Sequence, residues 1–194
     1  MSAVSESRFT LEEYLSRERV VEYKSEFYQG EIFAMTGGSP TRNLISFNIA
    51  SRLRASLRGP GPRPFSSDQR GRYRPMACHL PGIAVVCGER RLDDKGQDAI
   101  TNPVVIFEVF SKSTEWYDRG KNFDLYRELQ SLLEYVLVSQ SEAQVERFVR
   151  QNDGDWLLTV LKGPDATLKF ASFEVSLTLS EIYEDVEFQP EEVE

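Results

Sequence analysis

The stretch that decides the fold runs from Thr101 to Gln140, TNPVVIFEVFSKSTEWYDRGKNFDLYRELQSLLEYVLVSQ. Its run Val104-Val105-Ile106-Phe107-Glu108-Val109-Phe110 is apolar at both parities apart from one glutamate, the pattern of a strand covered on both faces. A helix is expected from about Thr114 to Leu129, and a further apolar strand at Leu133–Val138. Strand, helix, strand in that order implies a right-handed crossover within a mixed sheet.

Working outward, Pro81–Cys87 is another apolar strand, preceded by short strands near Phe65–Asp68 and Gly71–Arg74. Ser39 and Pro40 suit the cap and first position of a helix reaching about Leu57, with Ile45, Ile49, Leu53 and Leu57 as its buried stripe. Residues 26–35 read as two strand pieces around a Gln29-Gly30 turn, and Thr10-Leu11-Glu12-Glu13 as a capping box that opens a short helix. Downstream, VERFVRQ, DGDWLLTVL and ATLKFAS alternate and read as an antiparallel meander, with a last short helix at Leu179–Tyr183. The class is α/β or α+β, with helices on a mixed sheet. One domain is expected over residues 10–188, between a frayed start (1–9) and an acidic tail (189–194).

The 194 residues carry a formal charge of −8. Most of it is local, because Ser180–Glu194 holds seven acids and no base, which leaves the rest near neutral. Between Pro40 and Arg74 lie eight arginines, Arg42, Arg52, Arg54, Arg58, Arg63, Arg70, Arg72 and Arg74, against one acid, Asp68. Such a patch either tracks phosphates or is a solvated face. His79 is the only histidine, so multi-histidine metal sites are excluded, and it reads as a surface or edge-strand residue. Cys78 and Cys87 form no CxxC pair and point to a reducing cytoplasm. The opening MSAVSESRFTLEEYL has no basic stretch followed by an apolar core, and no apolar run approaches a membrane span, so neither signal peptide nor membrane is expected.

Glu108 is the residue out of place. An ionised carboxylate inside an apolar strand costs several kcal/mol unless a cation or hydrogen bonds compensate. It is either half of a structural ion pair or part of a metal or acid/base site built on a rigid strand. Lys121, on the following helix, shares a face with Tyr117, Asp118, Leu125 and Leu129 and is expected near the end of that strand. The two could serve one phosphate and one divalent ion. Asp118 either orients the lysine or is a helix-start acid.

These segments, with TLEEYL, KSEFYQGEIFAMTGGSP, SSDQR and LSEIYEDVEF, resemble the Uma-type putative restriction endonucleases of the PD-(D/E)xK superfamily, from about Thr10 to Phe188. The resemblance implies a restriction-endonuclease-like fold and a Mg²⁺- or Mn²⁺-dependent DNA endonuclease working as a homodimer. Glu108, the carbonyl of Val109 and Asp68 would be metal ligands. Lys121 would be the catalytic lysine, moved onto the helix after the strand, Glu31 a further acid, and Arg42, Arg52, Arg54, Arg58, Arg70, Arg72, Arg74 and Lys112 the nucleic-acid contacts. For Asp68 a structural salt bridge, and for Glu31 a solvated strand end, are the competing readings. The family's motif aspartate is missing: after Pro81 stands Gly82. Ser25 and Arg42 replace two histidines, and Lys112 a proline. The alternative is therefore a nuclease-derived binding or assembly module that no longer cuts.

Overall fold

The Val105–Phe110 run (β8) lies inside a six-stranded sheet whose order is β11-β10-β9-β8-β6-β3. Its members are β3 (Arg63–Ser66), β6 (Ile83–Val86), β8, β9 (Glu134–Ser139), β10 (Gln144–Arg150) and β11 (Trp156–Lys162). Only β8 and β9 are parallel, as the crossover requires; all other neighbours are antiparallel. This computed structural model describes residues 8–35, 37–57, 59, 61–74, 77–93 and 99–188. The side chains of Tyr73 and Arg74 are outside that description, as are Arg58, the first seven residues and the 189–194 tail.

A second sheet has five short strands in the order β2-β1-β5-β4-β7: β1 (Ser25–Tyr28), β2 (Glu31–Ala34), β4 (Arg70–Arg74), β5 (Ala77–His79) and β7 (Ala99–Ile100). β1 and β2 form the expected hairpin, with Gln29 and Gly30 both at positive φ (50° and 93°), the geometry that matches strand twist in a two-residue turn. α1 (Leu11–Glu18) begins at the expected capping box and packs Tyr14 and Leu15 with Phe27 and Cys78.

α2 (Pro40–Ser56) starts at Ser39, whose side chain accepts from Arg42 N–H, and its Ile45, Ile49, Leu53 stripe is fully buried. Those residues pack on Val105, Phe107 and Val109, one face of β8. Ile106 and Phe110, on the other face, pack with Leu125, Tyr126, Tyr135 and Ala77. Strand alternation puts Glu108 on this second face.

Three expectations change. The 114–129 helix is three short pieces, α3 (Glu115–Tyr117), a π-helical turn (Asp118–Asn122) and α4 (Phe123–Tyr126). The weak helix former Gly120 sits inside the wide turn. ATLKFAS does not extend the meander: β12 (Thr167–Lys169) pairs instead with β13 (Ser176–Thr178) as a separate ribbon, ahead of α5 (Leu179–Ile182). His79 is neither on the surface nor on an edge. It is 2% exposed in β5, between β1 and β4.

Candidate functional site

Antiparallel pairing of β6 with β8 sets Ile83 opposite Phe107, so the next residues along, Gly82 and Glu108, face each other. Opposed residues of an antiparallel pair share a face, so a carboxylate at each position would converge. Here one is glycine, and the Gly82 N–H donates to Glu108 Oε2 at 3.2 Å. The Tyr126 hydroxyl donates to Glu108 Oε1 at 2.9 Å, and Arg42 Nη2 stands 3.8 Å from Oε2. The inward side of α2 on which Arg42 lies is what brings its guanidinium to this acid.

Glu108 is 4% exposed. Burial, followed by the charge of Asp118, pushes its carboxyl up to about 8, against the pull of Arg42 and the Tyr126 hydrogen bond. At neutral pH it is therefore largely protonated. Asp118 is raised too, chiefly by burial, although Thr114, Asn122 and Arg42 oppose the shift. Asn122 Nδ2 donates to Asp118 Oδ1 at 2.8 Å, and the Tyr135 hydroxyl donates to the Asp118 carbonyl at 3.0 Å.

A third acid, Glu26, was not singled out from the sequence. It accepts from Leu80 N–H at 3.1 Å, and its Oε2 lies 3.4 Å from His79 Nδ1. Burial raises its carboxyl, but His79, Leu80 N–H and Arg42 outweigh that, and the net shift is downward. Its charge acts on both Glu108 and Asp118. The available signal was parity: Glu26 shares a strand face with Tyr28, which packs on the same cluster as Ile106 and Phe110.

Lys121 is exposed, and its ammonium rests over the rings of Tyr28 (4.4 Å), Tyr117 (5.5 Å) and Phe33 (5.8 Å). Among the described residues it makes no ion pair with Glu108. The π turn shifts the helical phase, so Asp118 and Asn122 take the inner positions and Lys121 turns out. Asp68 is exposed and ion-paired with Lys24. Glu31 is exposed at the start of edge strand β2. Val109 turns its side chain into the α2 core, opposite Val138 in the ladder. Lys112 is exposed in the turn after β8.

Besides Arg42, three arginines of the patch are held in ion pairs. Arg70 meets the buried Glu18 at 2.5 Å, and Arg72 pairs with the buried Asp93. Arg52 meets Glu184 at 2.7 Å and Glu181 at 3.8 Å. Arg54 is exposed on α2. The first acids of the C-terminal stretch are thus docked on α2, where Asn48 Nδ2 also donates to the carbonyls of Ile182 (3.2 Å) and Glu184 (2.8 Å).

The donors present do not fit a Mg²⁺ shell. Among the described residues no three His, Cys, Asp or Glu side chains are grouped to hold a metal. Both Glu108 oxygens are engaged by protein donors, and Asp68 is taken by Lys24. A Cβ added at Gly82 would meet Phe107 O at 2.9 Å and Glu108 Oε2 at 3.4 Å, so the space of the missing aspartate is closed. In front of Gly82 opens a cleft of about 580 Å³, between Met35, Gly37 and Gly38, α2 and the 66–68 turn. Arg42, Lys24, Phe47, Tyr23 and Asp68 line it.

A mixed sheet with its parallel pair at β8–β9, a strand glutamate facing the opening of β6, and helical elements over both faces define a restriction-endonuclease-like protein. The chain belongs to the Uma2 family, described as putative restriction endonucleases, which it matches over residues 11–180. It is 35% identical over 167 residues to the uncharacterized protein sll1609 of a Synechocystis species, covering 86% of this chain and 94% of that one. A second uncharacterized Synechocystis protein, slr1290, is 34% identical over 180 residues, covering 91% and 92%. The fold is also that of a crystal structure of a putative DUF820 nuclease from Anabaena variabilis, with a TM-score of 0.73, 19% identity, and 90% and 97% of the two chains covered. No helix among the described residues is long and apolar enough to cross a membrane.

Proposed function

We propose that this chain is a nucleic-acid-binding member of its nuclease family in which phosphodiester hydrolysis has been lost. The observation that carries the reading is the internal closure of the Glu108 carboxyl by Gly82 N–H, the Tyr126 hydroxyl and Arg42. A carboxyl that is protonated near neutrality and already hydrogen-bonded is a poor ligand for a hard divalent cation. The partner is DNA, taken in the cleft in front of Gly82, where Arg42 and Lys24 supply positive charge and Phe47 and Tyr23 present exposed rings. The proposed setting is a reducing cytoplasm, with Cys78 and Cys87 as free thiols.

A second reading, a weakened Mg²⁺- or Mn²⁺-dependent endonuclease with Glu108, Val109 and Asp68 as metal ligands and Lys121 and Glu31 as further catalytic residues, is favoured by one observation. The charges of Asp118 and Glu26 raise the proton affinity of Glu108, and that of Glu26 raises Asp118, a repulsion that a cation would relieve. The homodimer expected by analogy belongs to this reading, since two strands must be cut. Plasmid incubation with Mg²⁺ or Mn²⁺ and fluorescence anisotropy on labelled DNA at low salt separate the two. Binding that Phe47→Ala weakens, without cutting, is the expected outcome. Cutting that Glu108→Ala abolishes overturns it in favour of the second reading, and absence of any binding overturns both.

A further inference from the structure

β11 is a seven-residue strand at the free edge of the six-stranded sheet. Its sequence, Trp156-Leu-Leu-Thr-Val-Leu-Lys162, has no proline and carries charge only at its end. Leu157, Leu158 and Val160 are 57%, 46% and 48% exposed. Leu157 is on one face of the sheet and the other two are on the opposite face. Natural proteins block such edges with charges, proline or bulges. This one is open.

The hydrogen bonds to β10 show which backbone groups are free. Gly163 N–H donates to Ala143 O at 3.0 Å and Gln151 N–H to Asp155 O at 2.7 Å, at the two ends of the ladder. In an antiparallel pair, bonded residues alternate with non-bonded ones, so odd-numbered residues of β11 turn their amides and carbonyls to β10. Trp156, Leu158, Val160 and Lys162 turn theirs outward.

We propose that two copies of this chain pair through β11 about a two-fold axis at Thr159, joining their sheets edge to edge. In that register Trp156 faces Lys162 of the second copy, and Leu158 faces its Val160. All four outward residues then find partners, whereas a shift of the axis by one residue leaves some unpaired. The side chains agree with this register. Leu158 and Val160 of the two copies cover each other on one face, as Leu157 and Leu161 do on the other. Each Lys162, which within its own chain stands 3.9 Å from Glu142, lies across from a Trp156 ring. That ring already takes a cation within the chain, since Arg150 stands 4.9 Å from its centroid. Being two-fold, the contact closes and does not propagate. It does not depend on whether the Glu108 site cuts.

Sedimentation velocity on the full chain provides the test, with two variants. Val160→Pro removes an outward amide that the monomer does not use, so the fold tolerates it while pairing does not. Thr159→Cys, in a Cys87→Ser background, places two thiols in a non-bonded pair about 4.5 Å apart at Cα, within disulfide reach. The expected results are a wild-type dimer, halved in mass by Val160→Pro, and an intermolecular disulfide for Thr159→Cys but not for Leu157→Cys. A wild-type monomer at the highest soluble concentration overturns the proposal. So does a dimer that Val160→Pro leaves intact. If Val160→Pro loses its far-UV circular dichroism, the Thr159→Cys crosslink alone decides, and its absence overturns the pairing.

Discussion

Gly82 and Glu108 face each other across the β6–β8 pair and are joined by a hydrogen bond of 3.2 Å from the glycine amide to Oε2. Where the family resemblance implies an acid beside an acid, this chain has a buried carboxyl capped by a backbone donor. The Tyr126 hydroxyl on the second oxygen completes the cap.

That arrangement makes stability depend on pH. The Glu108 carboxyl holds its proton to about 8 in the folded chain, against an ordinary value of 4.5. Between those values the folded state binds the extra proton, so stability is greatest below about 4.5 on this account and falls as pH rises through 8. The slope approaches about 1.4 kcal/mol per unit at most. Thermal melts from pH 5 to pH 8.5 should show Tm falling in the wild type and more weakly in Glu108→Gln.

The neighbouring charges set that value, and each can be removed. Asp118→Asn takes away a repelling charge and should lower the Glu108 pKa, whereas Arg42→Met should raise it. Lys121→Met should leave it in place, because Lys121 is held over Tyr28, Phe33 and Tyr117. Carbon-13 titration of labelled glutamate carboxyls reads all three. A marked shift in Lys121→Met would restore Lys121 to the site.

Restoring the motif aspartate should not restore cutting. Gly82→Asp and Gly82→Ala both bring a Cβ against the Phe107 carbonyl, and overpacking of this kind destabilises by about 1–3 kcal/mol. Calorimetry should show both variants melting lower, and plasmid assays should show no cleavage by either.

Asn48 fastens the C-terminal segment to α2 through two backbone carbonyls. Asn48→Ala leaves those acceptors without their donor, at about 1–3 kcal/mol. Hydrogen exchange should rise at residues 180–186 ahead of the sheet. Uniform protection would assign the docking to Leu179, Ile182 and the Arg52 ion pairs.

Much of this was legible in the sequence because it is local. The β8 pattern gave a two-sided strand and put Glu108 opposite the face formed by Val105, Phe107 and Val109. The four-residue stripe of α2 likewise turned Arg42 inward. What escaped depends on distant partners or on helical phase. Arg70 with Glu18 and Arg72 with Asp93 are joined by folding, so each read as free positive charge. The π turn moved Asn122 inward and Lys121 outward, which a uniform 100° wheel does not anticipate. Glu26 looked like an ordinary charged residue in a short strand until β5 brought His79 beside it.

α2 is loaded on three sides. Ile45, Ile49 and Leu53 rest on the sheet, Asn48 and Arg52 hold the C-terminal segment, and Asn43, Ser46, Phe47 and Ala50 line the cleft. The same helix therefore joins the walls of the cleft to the 181–184 segment. On the proposed function, a DNA ligand that steadies α2 from the cleft side would tighten its grip on that segment, and by thermodynamic reciprocity freeing the segment would weaken ligand binding to the same degree.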